Sequence, residues 1–142
     1  KQILNHVEGR KVVRYTQATV DNVADAEILI IDCFGLLSSI YRYGQIAYIG
    51  GGFGAGIHNT LEAAVYGMPV LFGPRYHKFK EAKDLIAVGG GFSITDDSSF
   101  RTKMDELLTD PTALETSGQA AGDFVKNSVG ATDQILRQIH IR

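Results

Sequence analysis

Between Ile46 and Glu62 the chain passes from an apolar run, through five glycines in seven positions, into a helix-forming stretch. Few folds accommodate that order. Ile46-Ala47-Tyr48-Ile49, set between Gly44 and Gly50, predicts a short buried strand. Thr60-Leu61-Glu62-Ala63-Ala64-Val65-Tyr66 is rich in helix formers and is stopped by Gly67 and Pro69. The glycines between them, Gly50, Gly51, Gly52, Gly54 and Gly56, allow positive φ and leave no Cβ in the way of a ligand. A helix start beyond such a turn presents unpaired N–H groups and the positive end of its dipole, which suits a phosphate. The spacing is neither that of a P-loop, since no Gly-Lys-Ser/Thr follows, nor a good Gly-x-Gly-x-x-Gly fingerprint. A glycine turn that holds no ligand therefore stays open as the alternative.

The polar residues after the turn admit two readings each. Asn59 fits an N-cap, with Glu62 at the third helical position in a capping-box arrangement. Alternatively, Asn59 meets a phosphate while Glu62 accepts hydrogen bonds from sugar hydroxyls. His58 either bonds to backbone or touches the ligand.

The same strand-to-helix handover recurs along the chain. Lys11–Tyr15 predicts a short strand, Thr16–Asp25 a polar loop, and Glu27–Ile31 a strand buried on both faces. Leu36–Arg42 is helical in pattern, and residues 1–8 fit the end of a helix. Met68–Phe72 predicts a further buried strand, Phe79–Ala87 a helix, and Phe92-Ser93-Ile94 a last strand. Asp96 or Asp97 caps a helix through Leu108, and Asp110-Pro111 opens another. A helical tail over 119–127 and 131–141 is expected to break near Gly130. Buried-type strands alternating with helices predict an α/β fold, a Rossmann-like doubly wound parallel sheet in one domain over 1–142. Ligands of such sheets sit outside the strand C-termini. Three loops are expected to line that crevice: Asp32-Cys33-Phe34-Gly35, Gly50–Glu62, and Gly73-Pro74-Arg75-Tyr76-His77-Lys78.

Bulk properties narrow the function. An apolar fraction of 44% and a charged fraction of 21% suit an ordinary globular domain with a core. Fourteen basic against sixteen acidic residues, with no basic stripe, argue against nucleic acid as a partner. The single cysteine, Cys33, excludes an internal disulfide and a Cys-rich metal site. There is no apolar run approaching a membrane span. The chain opens at Lys1 without a Met and is expected to be a piece of a longer protein.

Ile49-Gly50-Gly51-Gly52, Gly56-Ile57-His58-Asn59-Thr60-Leu61-Glu62-Ala63-Ala64, and Gly67-Met68-Pro69-Val70-Leu71-Phe72-Gly73-Pro74 together resemble the C-terminal domain of the 3-deoxy-D-manno-octulosonic acid (Kdo) transferases of lipopolysaccharide assembly. Asp32-Cys33-Phe34-Gly35 resembles that family's Asp-Thr-Met-Gly-Glu turn, with Leu36 in place of Glu. Ile57 stands for a second Gly, Arg75 for a frequent His, and Lys78 for a common Asn. The resemblance implies the C-terminal half of a GT-B glycosyltransferase that binds the donor CMP-Kdo. It implies donor contacts at Phe34, Gly35, Leu36 (through backbone only), Gly51, Gly52, Gly56, His58, Asn59, Thr60, Leu61 and Glu62. Arg75 and Lys78 either assist the anionic donor or are solvated loop charges. The resemblance implies neither a metal nor any other cofactor.

The general base of such an enzyme is a Glu of the N-terminal half, and a Pro-Arg donor element is expected just upstream of residue 1. This chain alone is therefore expected to be inactive. The implied reaction is inverting: an acceptor hydroxyl of lipid A precursor attacks the anomeric carbon as CMP leaves, at the cytoplasmic face of the bacterial inner membrane. Membrane contact is expected only through the N-terminal domain. Other GT-B donor halves, such as the UDP-GlcNAc transferase of peptidoglycan synthesis, and a non-catalytic nucleotide-binding module are the alternatives.

Overall fold

A computed structural model of the chain describes residues 9–31 and 35–140. Contacts divide it into two units, one running to Ile40 and the other beginning at Tyr41. The expected helix end over residues 1–8 and the Asp32-Cys33-Phe34 part of the first loop lie outside the described residues.

The first unit contains β1 (Val12–Arg14), a 3-10 turn (Tyr15–Gln17), α1 (Val20–Val23), β2 (Ile28–Ile30) and α2 (Leu37–Ile40). β1 and β2 pair in parallel, Val12 opposite Ile28 and Arg14 opposite Ile30. Two expectations are corrected here. Thr16–Asp25 is not loop throughout, because Thr19 and Asn22 cap α1 reciprocally. Thr19 Oγ1 accepts from the Asn22 amide at 3.2 Å, and Asn22 Oδ1 accepts from the Thr19 amide at 2.7 Å. β2 is not buried on both faces either. Side chains alternate across a strand, and Leu29 stays exposed while Ile28 and Ile30 are half-buried.

The second unit opens with a 3-10 turn (Tyr41–Tyr43) and continues through β3 (Ala47–Ile49), α3 (Leu61–Ala64), β4 (Val70–Phe72), α4 (Lys80–Val88), β5 (Gly91–Ser93), α5 (Asp97–Thr109) and α6 (Pro111–His140). The strands form a parallel sheet in the order β3-β4-β5. Ala47 stands opposite Val70, and Val70 opposite Gly91. The parallel α/β class read from the sequence is thus present, with the described strands falling into two sheets.

β4 is the middle strand and every one of its residues is buried. Its alternation feeds two cores. Val70 and Phe72 pack with Ala63 and Ala64 of α3, Ala82 and Leu85 of α4, and Ala121 and Val125 of α6. Leu71, on the other face, packs with Ile94, Leu107 and residues of α5. A three-residue strand is fixed here by burial on both sides, each large apolar side chain contributing about 1.5–3 kcal/mol. β4 therefore holds the loop at its C-terminal end, Gly73 onward, in a set position beside the loop that leaves β3.

The long helices start as the sequence expects. Asp96 Oδ1 accepts from the Ser99 amide at 2.7 Å, and Ser99 Oγ accepts from the Asp96 amide at 3.1 Å. The Ser99 amide first, and the Ser99 side chain second, hold the Asp96 carboxyl below its usual range. Pro111 is the first residue of α6. The break expected near Gly130 is absent, and the helix runs unbroken to His140. A helical glycine costs about 1 kcal/mol against alanine, which a thirty-residue helix absorbs without ending.

Candidate functional site

The turn after β3 is a folded unit of its own. The amides of Gly54 and Gly56 donate to the Gly51 carbonyl at 3.1 and 3.0 Å, and the His58 amide donates to Gly50 O at 3.1 Å. Gly51 has φ +91°, and a Cβ there would run into the Gly56 carbonyl oxygen. Gly52 lies directly against the loop that leaves β4: a Cβ on it would stand 2.5 Å from Gly73 Cα. The Arg75 amide then donates to Gly52 O at 2.8 Å, and Arg75 Nη1 donates to Gly54 O at 3.0 Å. Glycine is required here so that two backbones can touch.

This assigns roles among the sequence candidates. Gly51 and Gly52 shape and dock the turn. Arg75 ties the two loops together through Nη1, one of its several guanidinium donors. Lys78 is exposed and makes no hydrogen bond or ion pair among the described residues. Gly35, with φ +88°, and Leu36 belong to the first unit, and Phe34 lies outside the described residues.

Beyond Gly56 the character of the chain changes. Ile57 and Thr60 are buried, which anchors the segment, while His58 and Asn59 are exposed. The capping expectation is corrected by one residue. The helix boundary falls at Thr60, which makes no side-chain cap, and Asn59 Oδ1 accepts from the Leu61 amide at 2.9 Å. Glu62 is then the second helical residue and makes no reciprocal bond to Asn59. With Leu61–Ala64 forming a single turn and one N–H already taken, the helix dipole contributes less than the sequence suggests. The amide nitrogen of Asn59, by contrast, keeps both its hydrogens unpartnered among the described residues.

Ile57, His58, Asn59, Thr60 and Leu61 form one wall of a cavity of about 340 Å3, closed by Phe79 and Glu81. Phe79 also borders a second cavity of about 230 Å3, lined by Ala55, Gly56, Arg75, His77 and Lys78. Its ring is the shared wall, and a Cβ on Gly56 would stand 3.2 Å from it. Glu62 does not line either cavity. It sits half-buried near Tyr41, whose phenol pKa is raised by burial first and by the Glu62 charge second. Sequence reasoning named His77 only as a member of a crevice loop, and it missed Phe79 and Tyr41. Only the position of Phe79, apolar between a polar loop and a helix, offered a signal.

A third cavity, of about 330 Å3, lies among Tyr48, Phe53, Ile94, Phe100 and the carboxylates Asp96 and Asp97. Those two carboxylates make it a poor place for an anion. Among the described residues no three His, Cys, Asp or Glu side chains are grouped to hold a metal ion.

Parallel strands covered by helices on both faces, with chemistry-bearing loops at the strand C-termini, define a mixed α/β domain of the type that forms half of a GT-B glycosyltransferase. The crystal structure of the C-terminal CMP-Kdo binding domain of WaaA from Acinetobacter baumannii has this fold, with a TM-score of 0.70 and 25% identity over 86% of this chain and 62% of that one. No family model matches the chain. It is 37% identical over 113 residues to the 3-deoxy-D-manno-octulosonic acid transferase of Aquifex aeolicus, covering 73% of this chain and 32% of that protein. The enzymes of the same name from Rickettsia felis and Bordetella pertussis are each 32% identical, over 82% and 78% of this chain. The chain is therefore homologous to Kdo transferases over most of its length, and it spans about a third or less of the relatives it matches.

Proposed function

We propose that this chain is the donor-binding domain of a Kdo transferase, holding CMP-Kdo while Kdo passes to a lipid A precursor. The observation that carries the reading is its match in fold, at a TM-score of 0.70, to a CMP-Kdo binding domain. The homology to Kdo transferases supports it independently. The nucleotide occupies the cavity beside Ile57–Leu61. There the free amide hydrogens of Asn59, with the N–H groups at the start of α3 that Asn59 does not occupy, meet the phosphate. His58 and Thr60 border it, and the Phe79 ring gives the base an apolar face. Glu62, one residue beyond that wall and with no hydrogen bond or ion pair among the described residues, is available to ribose hydroxyls that extend past the cavity. Gly51, Gly52 and Gly56 hold the turn in the shape that opens this wall.

The acceptor site and the general base belong to the part of such an enzyme that this chain does not cover, so the chain by itself binds donor and does not turn it over. No described helix is long and apolar enough to cross a membrane. Contact with the cytoplasmic face of the inner membrane, where the lipid acceptor resides, falls to that other part as well.

Thermal unfolding of the chain in CMP, CMP-Kdo and UDP-GlcNAc tests the reading. A ligand at about a hundred times its Kd stabilises by about 2.7 kcal/mol, enough to see as a shift in Tm. Stabilisation by the two cytidine ligands and not by UDP-GlcNAc is expected. The reverse pattern would make the chain the donor half of a UDP-sugar enzyme, and no shift with any of them would leave a module without this donor site.

A further inference from the structure

The smaller cavity behind the Phe79 ring differs in charge from its neighbour. Arg75, His77 and Lys78 line it together with Ala55, Gly56 and Phe79, and no carboxylate does. The nucleotide-side cavity, by contrast, carries Glu81. Single exposed lysines and arginines are ordinary on any surface. Two cations, Arg75 and Lys78, converging with an imidazole on one concavity that has no counter-ion, attract an anion.

Two of the three are held in place. Arg75 is tied by its amide to Gly52 O and by Nη1 to Gly54 O. His77 lies against the Tyr76 ring, centroids 4.3 Å apart and planes at 31°, and Tyr76 in turn packs on the buried Phe72. Lys78 has no partner among the described residues.

We propose that this cavity takes the carboxylate of the transferred acid sugar, with the nucleotide on the other side of Phe79. The proposal rests on the donor-binding reading above. The group moved by the relatives is an acid by name, so a cytidylate-linked donor of this class carries two anionic centres, a phosphate and a carboxylate. Two cavities that share one wall residue match two such centres in one molecule. Phe79 keeps them apart, and Gly56 lets its ring approach the turn.

Lys78→Gln and His77→Gln variants of the chain, titrated with CMP and with CMP-Kdo, test this. Arg75 is unsuitable because its loss also frees Gly54 O. Each variant should lose roughly five- to tenfold in affinity for CMP-Kdo, as when an exposed charge-assisted contact is removed. Affinity for CMP, which has no carboxylate, should stay within about twofold, and an unchanged Tm reports that the variants are folded. Equal losses for both ligands would make the cavity a phosphate site and overturn the proposal, as would unaltered CMP-Kdo binding in both variants. If the unsubstituted chain binds neither ligand, the donor reading itself falls and the proposal with it.

Discussion

The glycine turn Gly50–Gly56 and the segment Ile57–Leu61 are neighbours in sequence and opposites in how they use their polar groups. In the turn, the carbonyls of Gly50, Gly51, Gly52 and Gly54 all accept hydrogen bonds from the protein itself. Its missing side chains make room for backbone, at Gly56 against Gly51 and at Gly73 against Gly52. In the segment that follows, Ile57 and Thr60 are buried as anchors while His58 and Asn59 stand out beside a cavity. The first region is scaffold, and the second is the surface it presents. A glycine-rich strand-to-helix turn can thus serve a ligand without touching it, by fixing where the next five residues lie.

Substitution in the scaffold breaks this comparison most severely. Gly52→Ala places a Cβ 2.5 Å from Gly73 Cα and 2.9 Å from its carbonyl carbon, both backbone atoms that cannot step aside. Denaturant unfolding should show a loss of about 3 kcal/mol. A loss under about 1 kcal/mol would mean that the two loops part easily, and the turn would not be a scaffold.

Asn59 sharpens the comparison, because one side chain has two ends with different duties. Asn59→Ala should cost about 1 kcal/mol of stability through the lost cap on the Leu61 amide, and weaken CMP binding. Asn59→Asp keeps the capping oxygen and removes the amide hydrogens, so unfolding should return to the parent value while CMP binding stays weak. Equal recovery of both would assign Asn59 to capping alone.

The smallest effect lies at Tyr41. Its phenol is pushed above the ordinary value by burial first and by the Glu62 charge second. Glu62→Gln removes only the second cause. The Tyr41 pKa, followed by carbon NMR through the alkaline range, should fall yet remain above its ordinary value. An unchanged value would show that Glu62 does not act on Tyr41 and is oriented elsewhere.

How much of this was legible in the sequence depends on the reach of each signal. β4 was readable because Met68–Phe72 is apolar throughout, as a strand buried on both faces must be. Asp96 and Pro111 marked helix starts through chemistry local to one turn. The Thr19/Asn22 cap of α1 was equally local and went unread among polar neighbours. The cap at Asn59 was read one residue early, since a side-chain oxygen reaches amides at more than one offset. What local pattern cannot carry is contact between distant loops. Gly52 against Gly73, Arg75 on Gly54, and Phe79 as the wall between two cavities each join residues some twenty positions apart or more. The positive φ expected of these glycines is present at Gly51 and Gly56, and the close backbone contacts that also require them were visible only in the fold.

The central claim is that the donor nucleotide lies along Ile57–Leu61. Amide chemical-shift mapping of the chain during titration with CMP tests it most directly. The largest shifts are expected at His58, Asn59, Thr60 and Leu61, with Phe79 moving among the ring resonances. Shifts confined to Tyr48, Phe53, Ile94 and Phe100, with Ile57–Leu61 unmoved, would contradict it.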